Sequence, residues 1–210
     1  MFLTRRAPEA PPTTPGSVSK YAEETIAVTH ARGLLCDTIR QGCLKRYGKE
    51  GWAEVMGCLS DAGRIQFAEP VGDFAWVPIA LVKELEVAFG NLREEGKPFY
   101  QGRDLAEQQL QVVHPWLLKL LSPEMLIRQA PTLFRFYYKG GLLEVEEAHR
   151  GHGVTSLWAL GMPSGWYVSG AAGWFDKALR MSGAHKVDIQ HEAPPVEGDI
   201  HRHRYTVLWE

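Results

Sequence analysis

About two-thirds of the way along the chain the spacing of apolar residues changes, and that change restricts the fold more than any other feature. Before Gly140-Gly141 the repeat is helical: Leu34, Leu35, Thr38, Ile39, Cys43 and Tyr47 recur at three- and four-residue intervals and share one face. After it, Leu142-Leu-Glu-Val-Glu-Glu147 and Val154-Thr-Ser-Leu-Trp-Ala159 alternate with a period near two, as half-buried strands do, around a Gly151-His-Gly153 turn. A helix over 164–182 follows, with Tyr167, Ala171, Trp174, Ala178 and Met181 on one stripe and Gly183 as its stop. Two more strands, over 186–192 and 203–209, are joined by the Pro194-Pro195…Gly198-Asp199 turn. Helices first and then a β-β-α-β-β unit predict an α/β domain of the α+β type. Its N-terminal helices pack on a twisted antiparallel sheet of about four strands from the C-terminal half.

Within the helical part, Ile26-Ala-Val-Thr-His30 reads as a short strand, Gly48 as the end of the first helix, and 49–59 as a second helix burying Trp52, Val55, Met56 and Leu59. Residues 60–73 read as a loop. A helix with Pro78 in its first turn runs to Gly90, and another over 101–113 is interrupted at His114-Pro115. Ser122-Pro123-Glu124 combines a capping hydroxyl, proline at the first helical position and a carboxylate at the positive helix end. In the helix that it starts, Pro131 is predicted to make a kink or break.

A chain of 210 residues, 45% hydrophobic, is long enough for one substantial core and short for two. Residues 1–19, rich in proline and threonine, are predicted to be a flexible tail, and 20–210 a single ligand-binding-like domain. A net charge of −2 supplies no positive field to gather phosphates, so nucleic acid is not an expected partner. Cys36, Cys43 and Cys58 are odd in number and show no Cys-x-x-Cys pair, which suits reduced thiols in a cytosol. With no signal-like apolar run and no membrane span in the sequence, a cytoplasmic location is expected.

The order of Trp76-Val-Pro78, Leu120-Leu-Ser-Pro-Glu124, Leu133-Phe-Arg-Phe-Tyr137, Gly141-Leu-Leu-Glu-Val145, the Gly170-to-Gly173 helix with Trp174-Phe175, and His191…Gly198-Asp199…Tyr205-Thr-Val-Leu-Trp209 resembles a known group. It is similar to a bacterial domain-of-unknown-function family related to the 4-vinyl-reductase domain, which in turn resembles haem–nitric-oxide sensors and the small subunits of the TRAPP transport particle. The resemblance spans residues 26–210. It implies helices packed on an antiparallel sheet, dimerisation through helices, and in some relatives an apolar channel for a lipid chain or cofactor; it does not imply an enzyme. Where relatives carry metal-holding cysteines in the last two strands, this chain has Pro194 and His203. Where the haem sensors clamp propionates with Tyr-x-Ser-x-Arg, it offers Tyr167-Val-Ser169-Gly-Ala171 without the arginine, which disfavours haem. The transport-particle relatives suggest acylation of a helix cysteine, but Cys36 and Cys43, seven apart on one helix face, are better read as core.

Three constellations carry the functional expectation. Phe134, Phe136, Tyr137, Trp158, Trp166, Trp174 and Phe175 concentrate between the proline-containing helix and the helix after the hairpin. Of these, Phe134, Tyr137, Trp158, Trp166, Trp174 and Phe175 are the candidate ligand-binding residues for a small apolar molecule. His201 and His203, two apart on a strand, with His191 on its neighbour, would suit zinc; interleaved Arg202 and Arg204 suit a solvated edge better. His114 before Pro115 reads as a boundary residue rather than an axial haem ligand. No Gly-x-Ser-x-Gly elbow and no phosphate loop is present, and Gly170 and Gly173 read as close helix–sheet packing. The expectation is a non-catalytic regulatory sensor or adaptor that binds a small apolar ligand and signals as a homodimer or through a protein partner. The alternative is a protein-interaction module with a filled core.

Overall fold

Gly48 sets the shape of the longest helix. In the computed structural model, which describes residues 19–92, 97–110 and 122–210, α2 runs over Gly33–Gly57, and Gly48 at φ 70° and ψ −165° bends it where the sequence places a helix end. The predicted tail, apart from Ser19, and His114-Pro115 lie outside the described residues. Upstream of α2 are α1 (Glu23–Ile26) and β1 (His30–Arg32). The strand expected at Ile26 therefore starts later, because Glu23 and Glu24 open a helical turn that carries Ile26 into the core at 0% exposure.

Residues 60–73 are not wholly loop. Ser60 caps α3 (Asp61–Phe67): its Oγ accepts from the Gly63 amide at 3.2 Å and donates to Glu84 Oε2 at 2.7 Å. A four-residue cap signal followed by Gly63 is easily read as a turn, and tertiary burial of Phe67 decides for helix. Ser60→Ala is expected to lower unfolding stability by about 1 kcal/mol, measured by urea denaturation. A second correction is at Pro78, which ends β2 (Trp76–Pro78) rather than entering α4 (Ile79–Leu92), and α4 continues past Gly90. β2, β1 and β3 (Tyr138–Lys139) form a small antiparallel sheet in the order β2-β1-β3 that the alternation rule misses, since strands of two or three residues have no period to read.

α5 spans Pro98–Gln108. α6 (Pro123–Tyr137) starts on the predicted cap, with Ser122 Oγ accepting from Met125 N at 3.4 Å, and it runs through Pro131 without the expected break. It ends at Tyr137, where Tyr138 turns extended (φ −128°, ψ 142°) to start β3, rather than at Gly140-Gly141, which at φ 83° and 75° turn the chain after β3. The main sheet is antiparallel in the order β4-β5-β7-β6, formed by β4 (Leu142–His149), β5 (His152–Trp158), β6 (Asp188–Glu192) and β7 (His203–Leu208). The hairpin turn is tighter than predicted, since His152 and Gly153 pair with His149 and Ala148. After β5, a wide-turned π segment over Trp166–Gly170 leads into α7 (Ala171–Met181).

Two glycines bring α5 and α7 together. A methyl group added at Gly173 would overlap the Phe99 carbonyl, and one at Gly102 would overlap the Gly170 carbonyl. Gly173 therefore packs against another helix, not against the sheet as the sequence suggested. The helices cover one face of the sheet, to which Leu143, Leu157, Tyr205 and Val207 contribute. None of the described helices is long and apolar enough to cross a membrane.

Candidate functional site: an aromatic cavity between helices and sheet

Strand alternation sends Leu143, Leu157 and Tyr205 toward the helices, and α6 presents Ala130, Leu133, Phe134 and Tyr137 to the same space. Leu105 and Gln109 approach from the α5 side, and Trp166, Ala171, Trp174 and Phe175 from the π segment and α7. These groups line a cavity of about 50 Å³. Its wall is almost wholly apolar. The polar exception, Gln109, is 2% exposed, and its Oε1 accepts from the Trp174 indole N–H at 2.7 Å. Beyond the wall, Tyr138 stacks on Phe134 at 4.9 Å and meets Trp166 edge-on at 5.9 Å.

Five of the six candidate ligand residues, Phe134, Tyr137, Trp166, Trp174 and Phe175, line this cavity. Trp158 does not. It follows Leu157 on β5, so it points to the opposite face, where its Nε1 donates to Asp199 Oδ2 at 2.8 Å. There it joins a polar cleft of about 340 Å³ with Lys20, Glu144, Glu146 and Arg202. The charges of that cleft already satisfy one another. Glu146 takes hydrogen bonds from Ser156, Arg202 and Arg204, Glu144 pairs with Lys20 at 2.8 Å, and Arg202 also reaches Glu197 at 2.6 Å. Glu146 is accordingly held below the usual carboxylate range by Ser156 and the two arginines, against the opposing effect of its burial.

The sequence also missed Leu105, Gln109, Leu133, Leu143, Leu157 and Tyr205 as lining groups. Inward alternation on the strands could have indicated Leu157 and Tyr205; nothing local marks Gln109. Glu86 was missed as well. It faces a second space of about 20 Å³ with Thr38, Gln101, Leu105 and Trp166, so Leu105 and Trp166 border both spaces. Burial pushes the Glu86 carboxyl up to about 8, with Lys83 pulling it part of the way back.

The three candidate metal histidines do not converge. His191 Nε2 lies 3.0 Å from His203 Nδ1, and the Tyr167 ring stacks on His203 at 4.2 Å. Burial, together with the facing His191, pulls the His203 imidazole down to about 4. His201 sits in the turn before β7 rather than on the strand, with its Nε2 3.4 Å from Glu23, so the two-apart rule does not hold there. Tyr167 and Ser169, the sequence counterparts of a propionate clamp, donate to the backbone carbonyls of Ala159 and, at 3.1 Å, Gly165. Cys36 and Cys43 are buried core thiols, 2% and 0% exposed.

No protein-family model matches the chain, and no curated protein matches it. Solved structures do. An Fe(II) unliganded H-NOX protein variant from K. algicida superposes with a TM-score of 0.63 over 85% of this chain and 96% of its own, at 11% identity. An oxygen-binding H-NOX domain related to soluble guanylate cyclases, solved as the oxygen complex, gives 0.61 over 85% and 95%, at 8% identity. An H-NOX protein from S. oneidensis in the Fe(II) ligation state gives 0.58 over 85% and 96%, at 10% identity. The chain therefore has an H-NOX-like fold.

Proposed function

We propose that this chain is a non-catalytic sensor or adaptor domain that takes a small apolar molecule into the aromatic cavity and passes its presence to a second copy or to a protein partner. The observation that carries this reading is the cavity itself. It is almost wholly apolar and walled by both helices and sheet, so an occupant would couple α5, α6 and α7 to the strands.

At about 50 Å³ the space suits a guest of a few heavy atoms. Ordinary ligand pockets run to roughly 300–1,000 Å³. Haem, the group of the structurally similar sensors, does not fit the described residues: the cavity is too small for a porphyrin, Tyr167 and Ser169 are committed to backbone carbonyls, and Ala171 stands where the clamp has arginine. The same proposal places the chain in the cytoplasm as a homodimer.

The test is xenon, which occupies dry apolar cavities. In methyl-labelled protein under a few atmospheres of xenon, the resonances of Leu105, Leu133, Leu143 and Leu157 are expected to shift with saturation while surface methyls stay still. Shifts scattered over the surface, or none, would sink the reading, as would a stoichiometric Soret band in protein expressed with haem supplementation. A second reading, an interaction module with a filled core, is favoured by the smallness of the cavity. Absence of a xenon response together with a specific oligomer in native mass spectrometry would select it.

A further inference from the structure

We propose a zinc site at the tip of the β4–β5 hairpin, formed by Glu147, His149 and His152. A β-bulge makes it. Register passes from Val145 opposite Thr155 to Glu147 opposite Val154, so Glu146 is an extra residue and the alternation of β4 changes phase. Beyond the bulge Ala148 faces the helices at 6% exposure, while Glu147 and His149 turn to the outer face. His149 lies directly opposite His152 across the two-residue turn, and Gly151 at φ 79° closes that turn. Three donor side chains are thereby gathered from two strands by backbone geometry alone.

Their spacing fits one ion. His152 Nδ1 lies 3.2 Å from His149 Nε2 and 3.4 Å from Glu147 Oε2, and the third side, His149 Nε2 to Glu147 Oε2, is 3.7 Å. A tetrahedral zinc ion with ligands at roughly 2.0–2.1 Å separates them by about 3.4 Å. The two imidazole rings are stacked, with centroids 4.8 Å apart and planes at 25°, so rotation about their side-chain bonds at this exposed turn would aim both nitrogens and the carboxylate at one ion. The donor set of two nitrogens and one oxygen suits zinc and leaves a fourth position open to water, whereas magnesium and calcium take oxygen ligands. Among the described residues this is the group of three or more such side chains whose donor atoms come together. It lies on the outer sheet face and is independent of the aromatic cavity.

The experiment uses the tag-free chain, stripped with EDTA and titrated with zinc chloride against a chromophoric chelator. One zinc per chain is expected, with His149→Ala and His152→Ala each weakening binding at least tenfold and His191→Ala leaving it unchanged. Histidine ring resonances of residues 149 and 152 should shift on zinc addition and not on millimolar magnesium. These side chains are at an exposed turn, so circular dichroism of the variants should match the parent. No zinc bound at micromolar concentrations, binding that survives both hairpin substitutions, or loss through His191→Ala would each overturn the site.

Discussion

Gly173→Ala is expected to destabilise the fold by about 3 kcal/mol or more, among the largest effects of any single methyl group in this chain. The added methyl would overlap the Phe99 carbonyl, which is backbone in the first turn of α5 and cannot rotate away as a side chain would. Only a shift of α5 relative to α7 relieves the overlap, and both helices wall the aromatic cavity. The variant should therefore lose its xenon response along with stability. Gly57→Ala is the control. It also sits in a helix, with nothing within 4 Å of the added methyl, and should be neutral or slightly stabilising because alanine restricts the unfolded chain. Urea unfolding of the two variants decides the matter: a Gly173→Ala midpoint within error of the parent would mean that the α5–α7 approach is looser than described.

The contrast between those glycines shows where sequence reading succeeds and where it stops. Gly48 and Gly183 are legible because each interrupts a periodic helical segment, and each takes positive φ. Gly173 lies inside a good helical stripe, and whether its missing side chain matters depends on a partner 74 residues earlier in the chain (173 − 99), which no local pattern contains. The same limit explains the site. The aromatic clustering between α6 and α7 was visible, and it supplies five lining residues. Trp158 was misassigned because composition does not say which face of a strand a residue takes, and one step separates it from the inward Leu157. The hairpin ligands were hidden for a related reason: a bulge at Glu146 inverts the alternation, and with a straight register Glu147 and His149 would share the face of Val145. Glu86 gave no signal at all, since a glutamate in an amphipathic helix next to Lys83 reads as solvated surface.

Glu86→Gln should make the protein more stable in mildly alkaline buffer and change little in acid. Burial raises the carboxyl from its ordinary 4.5 to about 8, so between those values the folded chain keeps a proton that the unfolded chain releases. Stability contributed at this residue is present in full below pH 4.5 and falls as pH rises through the window, because the folded state binds the extra proton. Glutamine keeps the neutral shape and removes the titration. A gain on the order of 2 kcal/mol at pH 8, vanishing near pH 4.5, is expected from urea unfolding at several pH values. His203 works in the opposite sense: its imidazole is held down at about 4, so the stability tied to its neutral form is complete above 6.5 and declines toward 4. Both effects act on the parent, but subtracting the Glu86→Gln curve from the parent curve cancels the histidine and isolates the carboxyl. A difference that is flat from pH 5 to 8, or a variant less stable at pH 8, would mean that Glu86 is ionised and paired in the fold. Since Glu86 shares Leu105 and Trp166 with the cavity wall, its ionisation should also alter the xenon response over the same pH range, coupling proton and guest through two shared side chains.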